Sequence, residues 1–512
     1  MPQINNSDHI SSVSALSKTN RTTVLTRLAL FAALLVGVTL RFRSIWAMHL
    51  WGDEVFTFSL SQGTWLTLMK RAALDMVHPP LFYFLLKPWI YIVGSSIVKL
   101  RVLNVAISVA TFAPFIALGR QLKLREPAIA LAVTLMAVNS YLILYSYYLR
   151  SYSLLLFLTL CSHLFFVKLL DDEEAHEKRT FVLLVVINIL LVYTHYFGWL
   201  AFGAQFLWVA ATNRRHLGQM LKAAIILIIS YLPWLAIIIY TLTRVTYTFW
   251  DQIRDKELPE SSMLDRLLRS FNCGFSTAWI TIAGSIVFTL LILVSLKYAA
   301  QNEPRQDDNS RTSASSLPLL AVLCAFPVVV SVLAASLLNL VWEPRYVIVS
   351  IGPYLLLLSA SAFSLRQTWV RAVLVAGILT WAVIANSTGD MATTLHGPNG
   401  ISCDLAIELS HKEVSPAGPV PVYGLSPYAE QGLRLALGLI GEGRFQLRSQ
   451  AVNDPLPGNY FWLAVTEHDP LAAVRVRELR SDPRYIFGEP LYAGTAPQRH
   501  MLFPVQHIES GK

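Results

Sequence analysis

The feature that most constrains the fold of this sequence is a long succession of apolar segments separated by short polar stretches. Most of the segments approach the roughly 20 residues that a helix needs to cross the hydrocarbon core of a membrane. They predict about eleven transmembrane helices, of which the segment 199–212 is short for a span. The predicted spans lie near residues 24–46, 102–119, 127–148, 152–170, 180–197, 199–212, 219–243, 276–298, 317–341, 346–364 and 369–387.

The composition supports this interpretation. Hydrophobic residues make up 54% of the 512 residues and charged residues only 14%, whereas a soluble domain carries about 25% charged residues. An all-α polytopic membrane domain is therefore predicted. The net charge of +9 indicates loop orientation and not a nucleic-acid partner, because Lys and Arg accumulate in cytoplasmic loops. The cysteines show neither a CxxC pair nor a metal-binding spacing, so no disulfide framework and no metal site are predicted.

The basic residues between the apolar segments determine the predicted orientation. The clusters that we assign to the cytoplasm are Arg120/Lys123/Arg125, Lys178/Arg179, Arg214/Arg215/Lys222, Lys297/Arg305/Arg311 and Arg366/Arg371. The polar tail, residues 1–23, joins them and is predicted to be disordered. This assignment requires that residues 79–97 do not cross, since a span there would place every later cluster outside. Residues 48–101 are therefore predicted to form one outer loop with helices that lie on the membrane surface.

With this orientation, the unusual polar residues fall on the outer side. Those in the first outer loop are Asp53, Glu54, Asp75, His78 and Arg101. Those near the outer ends of later spans are Arg150 and Tyr152 in YLRSY, His195 in YTHYF, and Arg345 and Tyr346 in EPRYV. Such a set on one face predicts a functional site there. Each residue alone has a structural alternative: a solvated loop for the acids, interfacial snorkelling for the arginines and a hydrogen-bonding role for the histidines.

The hydropathy pattern changes after about residue 388. Short apolar stretches predict strands at Val420–Tyr423, Phe445–Leu447, Tyr460–Val465 and Arg499–Phe503. Tyr428–Ile440 and Pro470–Leu479 are predicted to be helices between them. Residues 389–512 are thus interpreted as a small extracytoplasmic α/β domain that follows a transmembrane catalytic domain over residues 24–388. No phosphate-binding loop or metal motif is present in its sequence.

Several motifs occur in a characteristic order. They are WGDE after the first span, D-x-x-HPPLFYFLLKPW, KLRVLN, YLRSYSLLLF, YTHYFG and EPRYVIVSIGPYLL. This ordered set resembles the GT-C membrane glycosyltransferases, a family that includes protein O-mannosyltransferases and the transferase that adds aminoarabinose to lipid A. The resemblance covers about residues 24–390 and does not extend to the C-terminal domain.

The resemblance implies a GT-C fold and transfer of a sugar, with inversion, from a polyprenyl-phosphate carrier on the outer side of the plasma (inner) membrane. The acceptor would be a glycan, a lipid or a protein, and membrane lipids are the other expected partners. The family's base maps onto Asp53, and its HPPL element and first-loop arginine map onto His78–Leu81 and Arg101. The aminoarabinose branch has Glu-Lys where this chain has Val77 and His78, and it has an acid where this chain reads LRSY. These departures argue against aminoarabinose as the donor sugar and against a metal site.

The reaction needs a base for the acceptor hydroxyl and cations for the departing phosphate. Asp53 is predicted to be the base, an effect of about 10²–10⁴-fold, and Glu54 and His78 are grouped with it as catalytic residues. Arg345 and Arg150 are predicted to bind the phosphate because a planar guanidinium can contact two oxygens. The other predicted substrate-binding residues are Asp75, Arg101, Tyr152, His195 and Tyr346; for Arg101, an ion pair that holds the fold is an equal alternative. No cofactor is predicted, and a divalent cation has no support in the sequence.

A second class of function stays open, a transporter or binding protein for a lipid-linked sugar. A transporter is expected to place polar residues in the middle of its spans. The middles of the spans over 24–40, 152–165 and 276–296 are almost entirely apolar. This pattern favours the enzyme. The sequence does not identify the sugar or the acceptor.

Overall fold

The computed structural model describes residues 6–47, 52–75, 78–171, 177–243, 263–272, 278–301, 316–338, 342–365, 367–387, 420–425, 445–449, 459–466, 469–493 and 500–508, with a few single residues between 405 and 436. Apolar helices form the larger, N-terminal part of the chain, and a small sheet forms the C-terminal part. The protein is an integral membrane protein with a C-terminal α/β domain, as the sequence predicts.

Helix α1 (Asn6–Arg43) is longer than predicted, because it includes most of the tail that the sequence analysis assigned to disorder. The physical reason is that no glycine or proline separates Asn6 from the apolar segment. Extending an existing helix by one turn is much easier than starting a new one. The helix covers most of the segment for which disorder was predicted, and the disorder of residues 1–23 stays a prediction.

The first loop contains three short helices, α2 (Gly52–Leu60), α3 (Trp65–Asp75) and α4 (Leu81–Val93). At 1.5 Å per residue, the longest of them extends only about 20 Å, which is less than the thickness of the hydrocarbon core. Short helices in this loop are what the sequence predicts. That residues 79–97 lie on the outer surface stays a prediction.

The remaining helices account for the other predicted spans. They are α5 (Ile97–Ala110), α6 (Phe112–Gln121), α7 (Glu126–Val138), α8 (Ser140–Tyr147), α9 (Tyr152–Asp171), α10 (Glu177–Thr194), α11 (Gly198–Thr212), α12 (Leu217–Leu242), α13 (Met263–Phe271), α14 (Ala278–Gln301), α15 (Ser316–Leu338), a 3₁₀ segment (Pro344–Ser350) continuing into α16 (Ile351–Ser364), and α17 (Thr368–Ser387). Among the described residues, 6 helical segments are long and apolar enough to cross a membrane by themselves, or 7 with the bent pair α7–α8. The total of about eleven spans stays a prediction.

The break between α7 and α8 directs the chain into the region where the predicted site residues lie. The two helices meet at an angle of 57°, and the Asn139 side chain caps α8 by accepting from Leu142 N at 2.9 Å. The last carbonyls of α7 would lack partners at such a break. The buried Arg41 side chain supplies donors to them, at 2.9 Å from Met136 O and 3.1 Å from Ala137 O. Arg41 thereby stabilises the bend.

A polar cluster lies in the middle of the helical part, at residues that the sequence analysis treated as part of an apolar interior. Gln205 Nε2 contacts Ser162 Oγ at 2.7 Å and His163 Nδ1 at 3.0 Å, and Ser162 Oγ donates to Asn188 Oδ1 at 2.9 Å. All four side chains are buried. The cluster joins α9, α10 and α11, so it fixes the helices whose ends carry Tyr152 and His195.

The C-terminal sheet confirms the predicted strands and adds two. The strands are β1 (Val420–Gly424), β2 (Phe445–Ser449), β3 (Tyr460–Thr466), β4 (Tyr485–Phe487), β5 (Leu491–Ala493) and β6 (His500–His507). Their order is β2-β1-β3-β6-β4, with β5 also paired to β6; β1 is parallel to β2 and β3, and β6 is antiparallel to β3. Helix α18 (Pro470–Ser481) matches its prediction. The predicted helix Tyr428–Ile440 lies mostly outside the described residues.

Candidate active site

The adjacent acids Asp53 and Glu54 lie in the first turn of α2, where successive side chains point about 100° apart. Glu54 points inward and is only 1% exposed. Arg101 from α5 binds it with two nitrogens, Nη2 to Oε2 at 3.2 Å and Nε to Oε1 at 3.3 Å. The backbone N–H of Leu149 donates to the same carboxylate at 3.1 Å. We call Glu54 and Arg101 the sealed pair.

Asp53 is accessible to solvent, and its side chain is 40% exposed. Its Oδ2 accepts from Tyr148 Oη at 2.8 Å and from Arg345 Nη1 at 3.0 Å. Arg345 also contacts Glu343, with Nε 2.7 Å from Oε2. The carboxylate is therefore held in one orientation and still reaches solvent. We call Asp53, Tyr148, Arg345 and Glu343 the open cluster.

Arg150 lies close to the open cluster, in the turn between α8 and α9. Its guanidinium donates to Thr57 Oγ1 and contacts His78 Nδ1, each at 3.2 Å. The Asn104 side chain donates to the Arg150 carbonyl at 2.9 Å and so fixes the turn. The residue is only 5% exposed, and within the described part of the chain no carboxylate forms an ion pair with it. Among the neighbouring charges, the Asp53 carboxylate raises the pKa of Arg150 the most.

Two histidines meet beside Arg150. The rings of His78, which precedes α4, and His195, which follows α10, are 4.8 Å apart between centroids. Burial, followed by the neighbouring charges of Arg150, His195 and Arg345, holds the pKa of His78 well below its usual value. His78 is therefore neutral at pH 7. His195 Nδ1 accepts from the backbone N–H of Phe197 at 3.2 Å.

Aromatic rings line the same region. Tyr152 is buried, with its ring 4.9 Å from Tyr145 and 5.8 Å from His195. Phe197 stacks on Tyr346 at 5.3 Å, and Arg345 lies 5.8 Å above the Tyr346 ring. Mostly aromatic walls with a few fixed polar groups are typical of small-molecule sites.

Most of the predicted site residues come together in the structure. Those that lie together in one region are Asp53, His78, Arg150, Tyr152, His195, Arg345 and Tyr346. Asp75 is half-buried at the end of α3, near enough to the hydroxyls of Tyr83 and Tyr196 to act on them electrostatically. A direct role for Asp75 in substrate binding stays a prediction.

The structure changes the interpretation of Glu54 and Arg101. Both were grouped with residues that act on substrate, but Arg101 is 0% exposed and Glu54 binds it. Arg101 also donates to Ala47 O at 2.6 Å and lies over the Tyr147 ring. Direct roles for Glu54 in catalysis and for Arg101 in substrate binding stay predictions. The alternative of a fold-holding ion pair, left open for Arg101, is the arrangement observed.

Sequence reasoning missed several residues of the site. Tyr148 and Glu343 lie inside recognised motifs, YLRSY and WEPRY, but the sequence analysis named only Arg150, Tyr152, Arg345 and Tyr346 there. Phe197 follows His195 in YTHYF and could have been included for the same reason. Arg266 on α13 acts electrostatically on Glu343 and Tyr346, and only the alternation of apolar and basic residues in MLDRLLRSF could have indicated it. Within the described residues, no three His, Cys, Asp or Glu side chains lie together as a metal site would require.

Comparison with known proteins shows a similarity that sequence searches do not detect. No protein-family model matches the sequence, and no curated protein sequence matches it. The structure is similar to ArnT from Cupriavidus metallidurans in the apo state, with a TM-score of 0.54 and 12% identity over 94% of this chain and 98% of that one. It is similar to ArnT from the same organism bound to undecaprenyl phosphate, with a TM-score of 0.53 and 11% identity over 92% and 97% of the two chains.

An oligosaccharyltransferase from Archaeoglobus fulgidus aligns more weakly, with a TM-score of 0.45 and 13% identity over 80% of this chain and 61% of that one. The two ArnT alignments extend over nearly the whole of both chains. They include the helical part and the C-terminal domain alike. The protein therefore has the GT-C fold of membrane glycosyltransferases.

Proposed function

We propose that the protein is an inverting glycosyltransferase that moves a sugar from a polyprenyl-phosphate carrier to an acceptor hydroxyl on the extracytoplasmic face of the membrane. The observation that carries the proposal is the combination of a buried arginine that has no carboxylate partner among the described residues with an accessible carboxylate beside it. The arginine is Arg150 and the carboxylate is Asp53.

Arg150 indicates that the site receives an anion. Burying a charge costs several kcal/mol, and the two groups that contact the guanidinium directly, the Thr57 hydroxyl and the His78 ring nitrogen, carry no opposite charge. A phosphate would do so, because a guanidinium fork can contact two of its oxygens. Arg345, 14% exposed, is a second cation at the edge of the same site. The two arginines would share the charge that develops on the phosphate as the sugar departs.

Asp53 fits the role of general base. The acceptor hydroxyl oxygen attacks the anomeric carbon from the side opposite the phosphate, and the bond between that carbon and the phosphate oxygen breaks. The phosphate leaves with the bonding electrons, and the hydroxyl proton passes to the Asp53 carboxylate. The contacts from Tyr148 and Arg345 to one oxygen, Oδ2, hold the carboxylate in place. A base fixed in this way contributes about 10²–10⁴-fold, and inversion follows from the single displacement.

The carrier is proposed from three considerations. The site lies at the ends of apolar helices, where the phosphate of a lipid whose tail stays in the hydrocarbon must also lie. ArnT, the structural neighbour, is described with undecaprenyl phosphate bound. The distribution of basic residues among the loops supports a site on the outside of the plasma (inner) membrane. The acceptor would be a glycan, a lipid or a protein.

Transport of a lipid-linked sugar is the alternative, and the polar cluster of Ser162, His163, Asn188 and Gln205 is the observation that favours it, because transporters place polar groups within their spans. The cluster is buried on all sides, and its hydrogen bonds join α9, α10 and α11 to one another. This arrangement agrees better with a role in helix packing than with a transport pathway through the helices.

The proposed function is tested by comparing strains with and without the gene. Mass spectrometry of the glycolipids and glycans should show one sugar residue lost from a specific product in the deletion strain. The wild-type gene should restore it, and an equally expressed gene encoding Asp53→Asn should not. A deletion strain with unchanged glycans but with the sugar-loaded carrier accumulating on one side of the membrane would instead support the transporter.

A further inference from the structure

The hydrogen bonds of His78 and His195 determine where each ring carries its proton. A guanidinium and a backbone N–H can only donate. His78 Nδ1 therefore accepts from Arg150 Nη2, and His195 Nδ1 accepts from Phe197 N. Each ring is neutral, with its proton on Nε2. The pair thus has no acceptor nitrogen left for a ligand and can offer it only donors.

The Nε2–H of His195 is the more informative of these donors. It is buried and has no hydrogen-bond partner in the part of the chain that the structure describes. The ring is 3% exposed and faces His78 and Tyr152. Buried donors in native proteins almost always have acceptors. The acceptor for this one is therefore expected to come from a ligand.

The surroundings of this donor indicate what kind of ligand would fit. The Phe197 ring lies 5.4 Å from His195 and stacks on Tyr346 with an angle of 16° between the rings. An aromatic wall beside a fixed donor suits a sugar, which has apolar C–H faces and hydroxyl oxygens at its edge. Arg150 lies on the other side of His78 and adds a positive charge to the region.

We propose that His195 and His78, together with the wall of Tyr152, Phe197 and Tyr346, form a subsite for an uncharged sugar whose hydroxyl oxygen accepts from the His195 Nε2–H. The inference rests on the proposed function and specifies the class of sugar that the carrier brings. At the two histidines an amino group does not fit, because an ammonium group can only donate and the ring nitrogens that could accept are already occupied. The neighbouring Arg150 would also repel it.

The test measures how purified full-length protein binds three kinds of lipid by native mass spectrometry. They are undecaprenyl phosphate, undecaprenyl phosphate carrying glucose or mannose, and undecaprenyl phosphate carrying aminoarabinose. Of the lipids that carry the uncharged sugars glucose and mannose, we call the one that binds more tightly the better neutral lipid. We expect it to bind roughly tenfold more tightly than undecaprenyl phosphate, which is the gain from about one good hydrogen bond. The aminoarabinose lipid should bind no more tightly than undecaprenyl phosphate.

Variants identify the residue responsible. His195→Phe keeps an aromatic ring and removes the donor, so it should reduce the neutral lipid to the affinity of undecaprenyl phosphate while leaving undecaprenyl phosphate itself unchanged. His195→Gln keeps an N–H donor and should retain part of the preference for the better neutral lipid over undecaprenyl phosphate. It replaces His195→Phe in the test if His195→Phe does not fold. His507→Phe in β6 is the matched control and should bind every lipid as the wild type does.

The outcomes separate this inference from the proposed function. The subsite is overturned if the aminoarabinose lipid binds as tightly as the better neutral lipid, or if folded His195→Phe keeps the preference for the neutral one. It is also overturned if His195→Phe weakens undecaprenyl phosphate equally, since the donor would then contact phosphate. If neither undecaprenyl phosphate nor any sugar-bearing lipid binds, the proposed function fails and the subsite fails with it.

Discussion

Asp53 and Glu54 are neighbours in the sequence and opposites in the structure. Glu54 belongs to the sealed pair, in which both charged side chains are excluded from solvent. Asp53 belongs to the open cluster, and its side chain is 40% exposed. Each carboxylate has an arginine partner, so the presence of an ion pair does not distinguish the two. Access to solvent does.

The difference shows how one turn of helix can serve both the fold and the site. The sealed pair joins α2 to α5 and to the backbone at Leu149. It thereby fixes the helix that carries Asp53 and the turn that carries Arg150. The open cluster can then keep a carboxylate at the surface of the site without depending on it for stability. Removing the carboxylate of the sealed pair should reduce stability, whereas removing the carboxylate of Asp53 should reduce activity.

The largest effect is expected for the sealed pair. Glu54→Ala leaves the Arg101 guanidinium buried without its carboxylate, which should destabilise the fold by about 3–5 kcal/mol. Thermal unfolding of the purified protein in detergent measures this effect. The matched control is Glu126→Ala, which removes the 52% exposed partner of Arg120 and should cost less than about 1 kcal/mol. Equal unfolding temperatures for Glu54→Ala and the wild type would remove the distinction between the two regions.

The next effect concerns catalysis alone. Asp53→Asn keeps the size of the side chain and one acceptor oxygen but cannot take the proton of the acceptor hydroxyl. Product formation should fall by at least about 10²-fold, while the unfolding temperature stays close to that of the wild type. Quantifying the glycan product in complemented cells and unfolding in detergent give the two values. Turnover near the wild-type level would show that Asp53 is not the base.

A smaller loss is expected for Arg345→Lys. The lysine keeps the charge but loses the fork that contacts Asp53 and Glu343 together. We expect at least tenfold slower transfer, about 1.4 kcal/mol of barrier. Arg120→Lys, in an exposed ion pair, is the control for the change of residue type and should be neutral. If Arg345→Lys transfers as fast as this control, Arg345 has only a structural role.

Acidification should produce the smallest effect. The folded protein keeps His78 neutral, because its pKa is lowered by burial and by the charges of Arg150, His195 and Arg345. In the unfolded chain, His78 takes up a proton near pH 6.5. The stability that His78 contributes is therefore complete above that pH and is lost as the pH falls below it. Between pH 6.5 and 5.5 we expect a loss of about 1 kcal/mol from this residue. The loss should be smaller by that amount in His78→Gln; an identical pH dependence in this variant would contradict the assignment.

The sequence predicted those features that depend on local pattern. Long apolar segments identified the helices, the alternation after residue 388 identified four strands, and the ordered motifs brought Asp53, Arg150 and Arg345 into one region. The three-residue strands β4 and β5 were missed because they are too short to show a period. The helical start of α1 was missed because polarity was taken as a sign of disorder.

The sequence could not show which way a side chain points. Asp53 and Glu54 have the same chemistry and adjacent positions, and only the packing of α2 against α5 makes one accessible and the other buried. Arg41 illustrates the same limit. It appeared as a basic residue at the end of a span, whereas in the structure it binds carbonyl oxygens of a different helix, 95 and 96 positions away. Such contacts follow from the tertiary fold.

The central claim is that the buried charge of Arg150 is there to bind the phosphate of a lipid carrier. The most direct measurement is the affinity of the purified protein for undecaprenyl phosphate, compared between the wild type and Arg150→Gln, with Arg120→Gln as the control. We predict at least roughly tenfold weaker binding in Arg150→Gln and no change in Arg120→Gln. Equal affinities in folded wild type and Arg150→Gln would contradict the claim.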